Sequence, residues 1–207
     1  MKKYFLALAL VCPALAFTSC DLDTSVTKTF HSTASLDGTV NSSGVFNALQ
    51  DLINAGDALD NSTSRGFFSF DISSIAPSAG ETLTIHSAML RIYMWGVDGN
   101  PYDLGPTLCF LVDYGDSLEE TDYDTPNIYS CGIISSTAGI MEERSIDITG
   151  QIRGYIESGV ADRFRPQFRL GQATATDNDN MGDQTRWCAG EHATVAYRPS
   201  LIITYSK

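Results

Sequence analysis

Residues 81–96 read ETLTIHSAMLRIYMWG, and the second half of that stretch alternates. Ala88, Leu90, Ile92 and Met94 fall on one side of an extended chain. Met89, Arg91, Tyr93 and Trp95 fall on the other. A helix would space its apolar residues three or four apart; a period of two belongs to a strand that buries one face. The stretch therefore predicts a long strand with an aliphatic inner face and an outer face of Arg, Tyr and Trp.

Upstream, SRGFFSFDISSI at 64–75 has the same period. Phe68, Phe70 and Ile72 share the side expected in the core, and Arg65, Phe67, Ser69 and Asp71 share the side left to solvent, a rim or a site. The Ser/Pro/Gly run SSIAPSAG closes this strand. Downstream, VDGNPYDLGP is a turn-rich link to a further strand, TLCFLVDYG. DSLEETDYDTPN is an acidic loop, and IYSCGII is a short apolar strand. RPQFRLGQATA, RWCAGEHATV and RPSLIITYSK supply the last extended segments. Near the start, SLDGTVNS carries a turn at Asp37-Gly38.

Helical spacing occurs twice. Ile148, Ile152, Tyr155 and Ile156 predict a short helix, with Thr149 at its start and Gly159 at its end. In NALQDLINAGDALDN, Leu49, Leu52 and Ile53 predict a helical turn ended by Gly56. About eight strands, one short helix and turn-rich links predict an all-β fold, an antiparallel β-sandwich of jelly-roll type. No GxGxxG follows a strand, which excludes a dinucleotide-binding fold.

The first residues have a different purpose. MKKYFLALALVCPALAFTSC combines Lys2 and Lys3, an apolar run and small residues before Cys20, the pattern of a secretory signal peptide. Phe17-Thr18-Ser19-Cys20 resembles a bacterial lipobox, so residues 1–19 are read as a lipoprotein signal and Cys20 as the lipidated N-terminus. Cleavage elsewhere, as after Ala16, would give an ordinary secreted protein. The polar stretch 20–29 is read as a tether and 30–207 as one domain. The expected location is the bacterial cell envelope, at the outer membrane and exposed at the surface, with the lipid as the membrane contact. The net charge goes from −12 to −14 when Lys2 and Lys3 leave, which argues against a nucleic-acid partner. Cys109, Cys131 and Cys188 remain inside the domain. Three cysteines allow at most one internal disulfide, and otherwise they serve as small buried hydrophobes.

Four motifs then stand in order: RGFFSFDISSI, IHSAMLRIYMW, SIDITGQIRGYI and GEHATVAYRPSLIITYS. In this order the chain resembles the DNRLRE domain, a carbohydrate-binding module related to family 96. The matching positions are Arg65 to Ser73, Ser87 to Tyr93, Asp147 to Thr149 and Arg198 to Tyr205, and the likeness covers about residues 30 to 206. It implies a jelly-roll module of secreted and surface proteins, often beside polysaccharide-degrading enzymes. Some members bind acidic glycans such as alginate through basic side chains; the acidity of this chain argues against that ligand.

No catalytic constellation is legible. His31, His86 and His192 are scattered without metal spacing, and neither HExxH nor GxSxG occurs. Glu119-Glu120 and Glu142-Glu143 read as solvated loop charge rather than a glycosidase pair. A non-enzymatic role is expected. Two features could bind. The outer face of Arg91, Tyr93 and Trp95, joined by Tyr102 and Trp187, suits a polysaccharide or oligosaccharide, since rings stack on sugar C–H faces and guanidinium groups bond hydroxyls; the competing reading is that this face packs beneath a loop or on the other sheet. DNDNMGD at 177–183 alternates carboxylates and amides, so Asp177, Asp179 and Asp183 are candidate ligands for a structural Ca2+, against the plainer reading of a polar turn. No other cofactor is implied. The expected function is glycan binding at the cell surface; the alternative is a structural or adhesive surface protein without a sugar site.

Overall fold

The computed structural model describes residues 24–48, 50–159 and 164–207. The signal peptide over 1–19 and the lipidation site Cys20 lie outside the described residues, as does Leu49. The fold is all-β with one α-helix. The strands are β1 (Val26–His31), β2 (Gly38–Asn41), β3 (Phe46–Ala48), β4 (Leu52–Asp57), β5 (Thr63–Ser69) and β6 (Thr84–Asp98). After them come β7 (Thr107–Val112), β8 (Tyr129–Ser135), β9 (Glu142–Asp147), α1 (Thr149–Glu157), β10 (Gln167–Gln172), β11 (Asp183–Cys188) and β12 (Ser200–Ser206). They form one antiparallel sheet in the order β1-β12-β6-β11-β4-β5-β10-β7-β8, with β2 and β3 attached at β5 and β9 at β6. The sheet curls on itself, so that Leu90 and Ile92 of β6, Leu201 and Ile203 of β12, Phe68 of β5 and Phe168 of β10 meet in one core.

β6 organises this arrangement. Its residues 84–91 pair with β12 and residues 94–98 with β11. β9 pairs with 89–94, and since Met89 to Arg91 and Met94 each have two partners, β9 must occupy the opposite edge. β12 and β11 thus take consecutive lengths of one edge, and the chain between them, residues 189–199, loops out onto the surface. Ala88, Leu90, Ile92 and Met94 are buried as their spacing predicts.

β5 departs from its reading in one respect. Phe68, Phe70 and Ile72 enter the main core, each buried ring contributing roughly 2–3 kcal/mol of transfer free energy. Phe67, on the side expected to meet solvent, is buried too. It sits in a second cluster with Leu36, Val40, Val112, Tyr114 and Leu118, and meets Tyr114 edge to face at 5.4 Å. Arg65 on the same side lies 4.0 Å over the Tyr123 ring, so the acidic 116–127 loop folds back as a lid over this strand.

Two further expectations are corrected. In place of the helical turn expected over 47–61 stand β3 (Phe46–Ala48) and β4 (Leu52–Asp57), in which Ile53, Ala55 and Asp57 are buried at a period of two. Gly56 sits there at φ +135°, and a Cβ would come within 2.0 Å of the Asp183 carbonyl oxygen, so extended pairing with β11 requires glycine. Of the residues read as a tether, 20–29, those from Val26 on are strand: β1 pairs with β12, with Phe30 buried and Thr27 and Thr204 hydroxyls 2.9 Å apart. The β-branched Val26, Thr27 and Thr29 suit an edge strand even though few of its residues are bulky.

The helix over 148–159 forms as predicted, with Ile152 and Tyr155 inward and Gly159 at φ +72° past its end. Thr149 is its first residue rather than its cap; the Asp147 carboxylate accepts the Thr149 N–H at 2.9 Å. Cys109, Cys131 and Cys188 are buried free thiols, and contact with Cys131 together with burial pushes the Cys109 thiol upward. Among the described residues no helix is long and apolar enough to cross a membrane.

Candidate ligand-binding face

The outer face of β6 presents Arg91, Tyr93 and Trp95 on alternate residues, opposite the buried row. The 189–199 loop supplies what the strand alone lacks. Its 3-10 turn at Val195–Tyr197 lays the Tyr197 ring on Tyr93, 4.3 Å between centroids and 25° from parallel. His192, from the same loop, lies 5.5 Å from Tyr197 and 5.6 Å from Trp95. Tyr93, Tyr197, His192 and Trp95 thus form an arc of four rings, and Trp95 at its end is 38% exposed. The loop holds this shape by its own hydrogen bonds: Thr194 N–H donates to His192 Nδ1 at 3.1 Å, and Arg198 Nε donates to the His192 carbonyl at 2.8 Å.

Charge lies beside the rings. Glu143 stands directly across from Tyr93 in the β6–β9 ladder and pairs with Arg91. A cleft of about 280 Å3 runs over the sheet here, lined by His31, Arg91, Tyr93, Glu143, Tyr197 and Arg198. Partial burial, then the neighbouring Tyr197 and Glu143, hold the Tyr93 phenol above its ordinary pKa, so it stays a neutral donor and acceptor at physiological pH. The cleft therefore offers two aromatic rings, two guanidinium groups, an imidazole and a carboxylate on a rigid strand floor. That set suits a neutral, hydroxyl-rich ligand, which needs both stacking and paired donors and acceptors.

No protein-family model matches the chain, and no curated protein matches it in sequence. The site must be read from its own residues.

Of the five residues expected to bind ligand, three come together and two do not. Trp187 is fully buried, a correction with a simple cause: it shares the inward side of β11 with Thr185, and its indole N–H donates to Thr185 Oγ1 at 3.0 Å. Tyr102 packs from the far side of β6, its hydroxyl 2.8 Å from Ser135 Oγ and against Met94 of the inner row. Sequence reading missed Tyr197, Arg198, His192, His31 and Glu143. The bracket of Gly190 and Pro199 around a non-alternating, ring-bearing stretch was the available signal.

The three aspartates of the other feature do converge. Carboxylate oxygens of Asp177, Asp179 and Asp183 lie within 4.8 Å of one another. Asn178 and Asn180 take the left-handed conformation (φ +62° and +59°), which folds the loop tightly. Asn61 pins it from the facing turn, with Asn61 Nδ2 donating to Asn180 Oδ1 and Asn180 N–H donating to Asn61 Oδ1, both at 3.0 Å. Desolvation, then the charges of Asp179 and Asp57, raise the Asp177 carboxyl. Beside this loop opens a larger cavity of about 670 Å3, walled by Leu59, Asp98, Met181 and Gly182.

Proposed function

We propose that this chain is a surface-anchored bacterial lipoprotein whose β domain, of jelly-roll type, binds an extracellular polysaccharide without chemical turnover. The arc of Tyr93, Tyr197, His192 and Trp95 beside the Arg91–Glu143 pair carries the reading. A strand floor with rings and paired charges is how a rigid module captures a sugar chain. The DNRLRE likeness supports it through order: its motifs fall on β5, β6, the β9–α1 junction and β12, and of these β6 and the start of β12 border the cleft. Lipid at Cys20 and export to the outer membrane complete the proposal.

On a glycan array of neutral and acidic polysaccharides, the purified chain binds at least one class. Tyr93→Ala and Trp95→Ala each weaken that binding about 5–10-fold, the effect of losing one stacked ring worth about 1 kcal/mol. No binding to any glycan, or binding indifferent to both changes, leaves the structural or adhesive role in its place. Membrane fractionation tests the anchor separately. Cys20→Ala moves the protein from the membrane fraction to the soluble one, because two acyl chains contribute about 0.8 kcal/mol per buried methylene; a variant that stays with the membrane removes Cys20 as the lipid site.

A further inference from the structure

The geometry points to a second binding site, a cavity at the rim of the sheet that takes a small organic cation with an apolar body, such as an alkyl or aryl amine. The cavity measures about 670 Å3, and pockets for small molecules span about 300–1,000 Å3. The end of β2, the β4–β5 turn, the end of β6, the 177–183 loop and β11 all contribute to its wall. It shares no residue with the cleft beside the ring arc, so the inference stands whether or not that cleft binds sugar.

Its apolar lining is the first observation. Leu59 from the β4–β5 turn and Met181 from the 177–183 loop are 72% and 58% exposed. A lone exposed leucine is ordinary; two long apolar side chains bordering one cavity mark a place where apolar matter docks. The segments that carry them are fixed. The Ala58 N–H donates to the Ser62 carbonyl at 2.8 Å and closes the turn. The reciprocal Asn61–Asn180 bonds, both at 3.0 Å, tie that turn to the loop. The walls are thus preformed, and a ligand meets little ordering cost on entry. Leucine, methionine and alanine line the cavity without an aromatic ring, which suits a hydrocarbon body better than a sugar face.

Charge selects the other end of the ligand. Asp60 and Asp98 border the cavity, and no Lys, Arg or His does. Asp98 pairs with Arg186, two residues beyond Gln184 on the same side of β11. Asp60 has no ion pair among the described residues. Hydrogen bonds from Ser62, its N–H at 3.0 Å among them, hold the Asp60 carboxyl below its ordinary pKa, so it is ionised at neutral pH. Gln184 stands opposite Asp98 in the β6–β11 ladder, which puts its amide on the same face. An ammonium group carries three donors and no acceptor, the complement of these oxygens. A carboxylate or phosphate would meet like charge with Arg186 already engaged, and the −12 of the whole chain opposes it further.

An NMR titration of the isotope-labelled, purified chain at neutral pH tests the site, with hexylamine, hexanol and hexanoate as probes of equal length. Hexylammonium shifts the amide signals of Leu59, Gly99, Met181 and Gly182 and saturates with a Kd of about 1–5 mM, a modest strength that suits so small a ligand. Hexanol binds about 5-fold more weakly, and hexanoate at least about 10-fold more weakly. Met181→Ser weakens hexylammonium about 3–5-fold by removing an apolar wall. Asp60→Asn, which keeps the oxygen that accepts the Ser62 N–H, weakens hexylammonium about 3-fold and leaves hexanol unchanged. Both side chains are exposed, so both variants keep the melting temperature of the parent, and lost binding is not lost folding. No saturable shift with any probe, shifts away from the cavity, hexanol or hexanoate equal to hexylammonium, or affinity unchanged in both variants overturns the inference.

Discussion

Trp187→Ala lowers the stability of this domain by about 3–5 kcal/mol and leaves the ligand face intact in the molecules that fold. The indole is fully enclosed, with Ile53 opposite it on β4 and Met94 opposite it on β6. Its removal opens a cavity at the middle of the sheet, where the strands on either side cannot close in. A polar relay is lost as well. The indole N–H donates to Thr185 Oγ1, and that hydroxyl donates to the Ala55 carbonyl at 3.0 Å. For a domain of this size the loss lowers the melting temperature by about 10 °C. Chemical denaturation gives the stability, and titration with whichever glycan the array identifies gives the binding. A loss under about 1 kcal/mol with a selective loss of glycan affinity would return Trp187 to the ligand site and overturn its place in the core.

Trp187 also marks how sequence reading succeeds and fails here. The phase of β6 was legible because eight successive residues alternate without a break, and both faces came out as expected. β11 carries the same information. Thr185 and Trp187 share a side while Gln184 and Arg186 share the other, so period alone places the indole inward. For Phe67 no local pattern could have helped. Its burial depends on Tyr114 and on a loop about 50 residues downstream that folds back as a cover.

The candidate sites divide in the same way. Arg91, Tyr93 and Trp95 lie two residues apart, so one strand fixes them on one face. Tyr197 and His192 reach that face only because β11 and β12 share an edge of β6 and the chain between them must loop over it, a consequence of pairing rather than of composition. The aspartates at 177–183 are a local cluster and could be read from the sequence. Asp57 is different: it lies 126 residues away from Asp183 and meets that residue's N–H only through the β4–β11 register. The helical reading of 47–61 also hid the phase of β4, and with it the inward direction of Asp57.

Asp37→Ala destabilises the fold by about 3 kcal/mol near pH 5, and this cost shrinks as the pH rises from there toward about 7, then levels off. Asp37 is buried where the β1–β2 connection, the end of β5 and the start of the 189–199 loop meet. Its Oδ2 accepts the Ser32 hydroxyl at 2.6 Å and the Gly190 N–H at 2.9 Å, and its Oδ1 accepts the Ser69 N–H at 3.2 Å. Alanine strands two buried backbone donors, each costing about 1–3 kcal/mol. The pH term has the opposite sign. Burial raises the Asp37 carboxyl from 3.8 to about 7, against the pull of its three donors. Below about pH 4 the group is protonated in both states and its contribution is full; between about 4 and 7 only the folded chain keeps the proton. Parent stability therefore falls there by up to about 1.4 kcal/mol per pH unit relative to a variant with no carboxyl. Denaturation midpoints of the parent, Asp37→Ala and Asp37→Asn at about pH 5 and pH 8 measure that difference. Parallel pH profiles would remove Asp37 as the titrating group. The same substitution reaches the ligand face, because Gly190 leads directly to His192 and Tyr197. A loosened Gly190 N–H frees the loop that completes the ring arc, so under the proposed glycan-binding function affinity falls along with stability although Asp37 is no part of the arc.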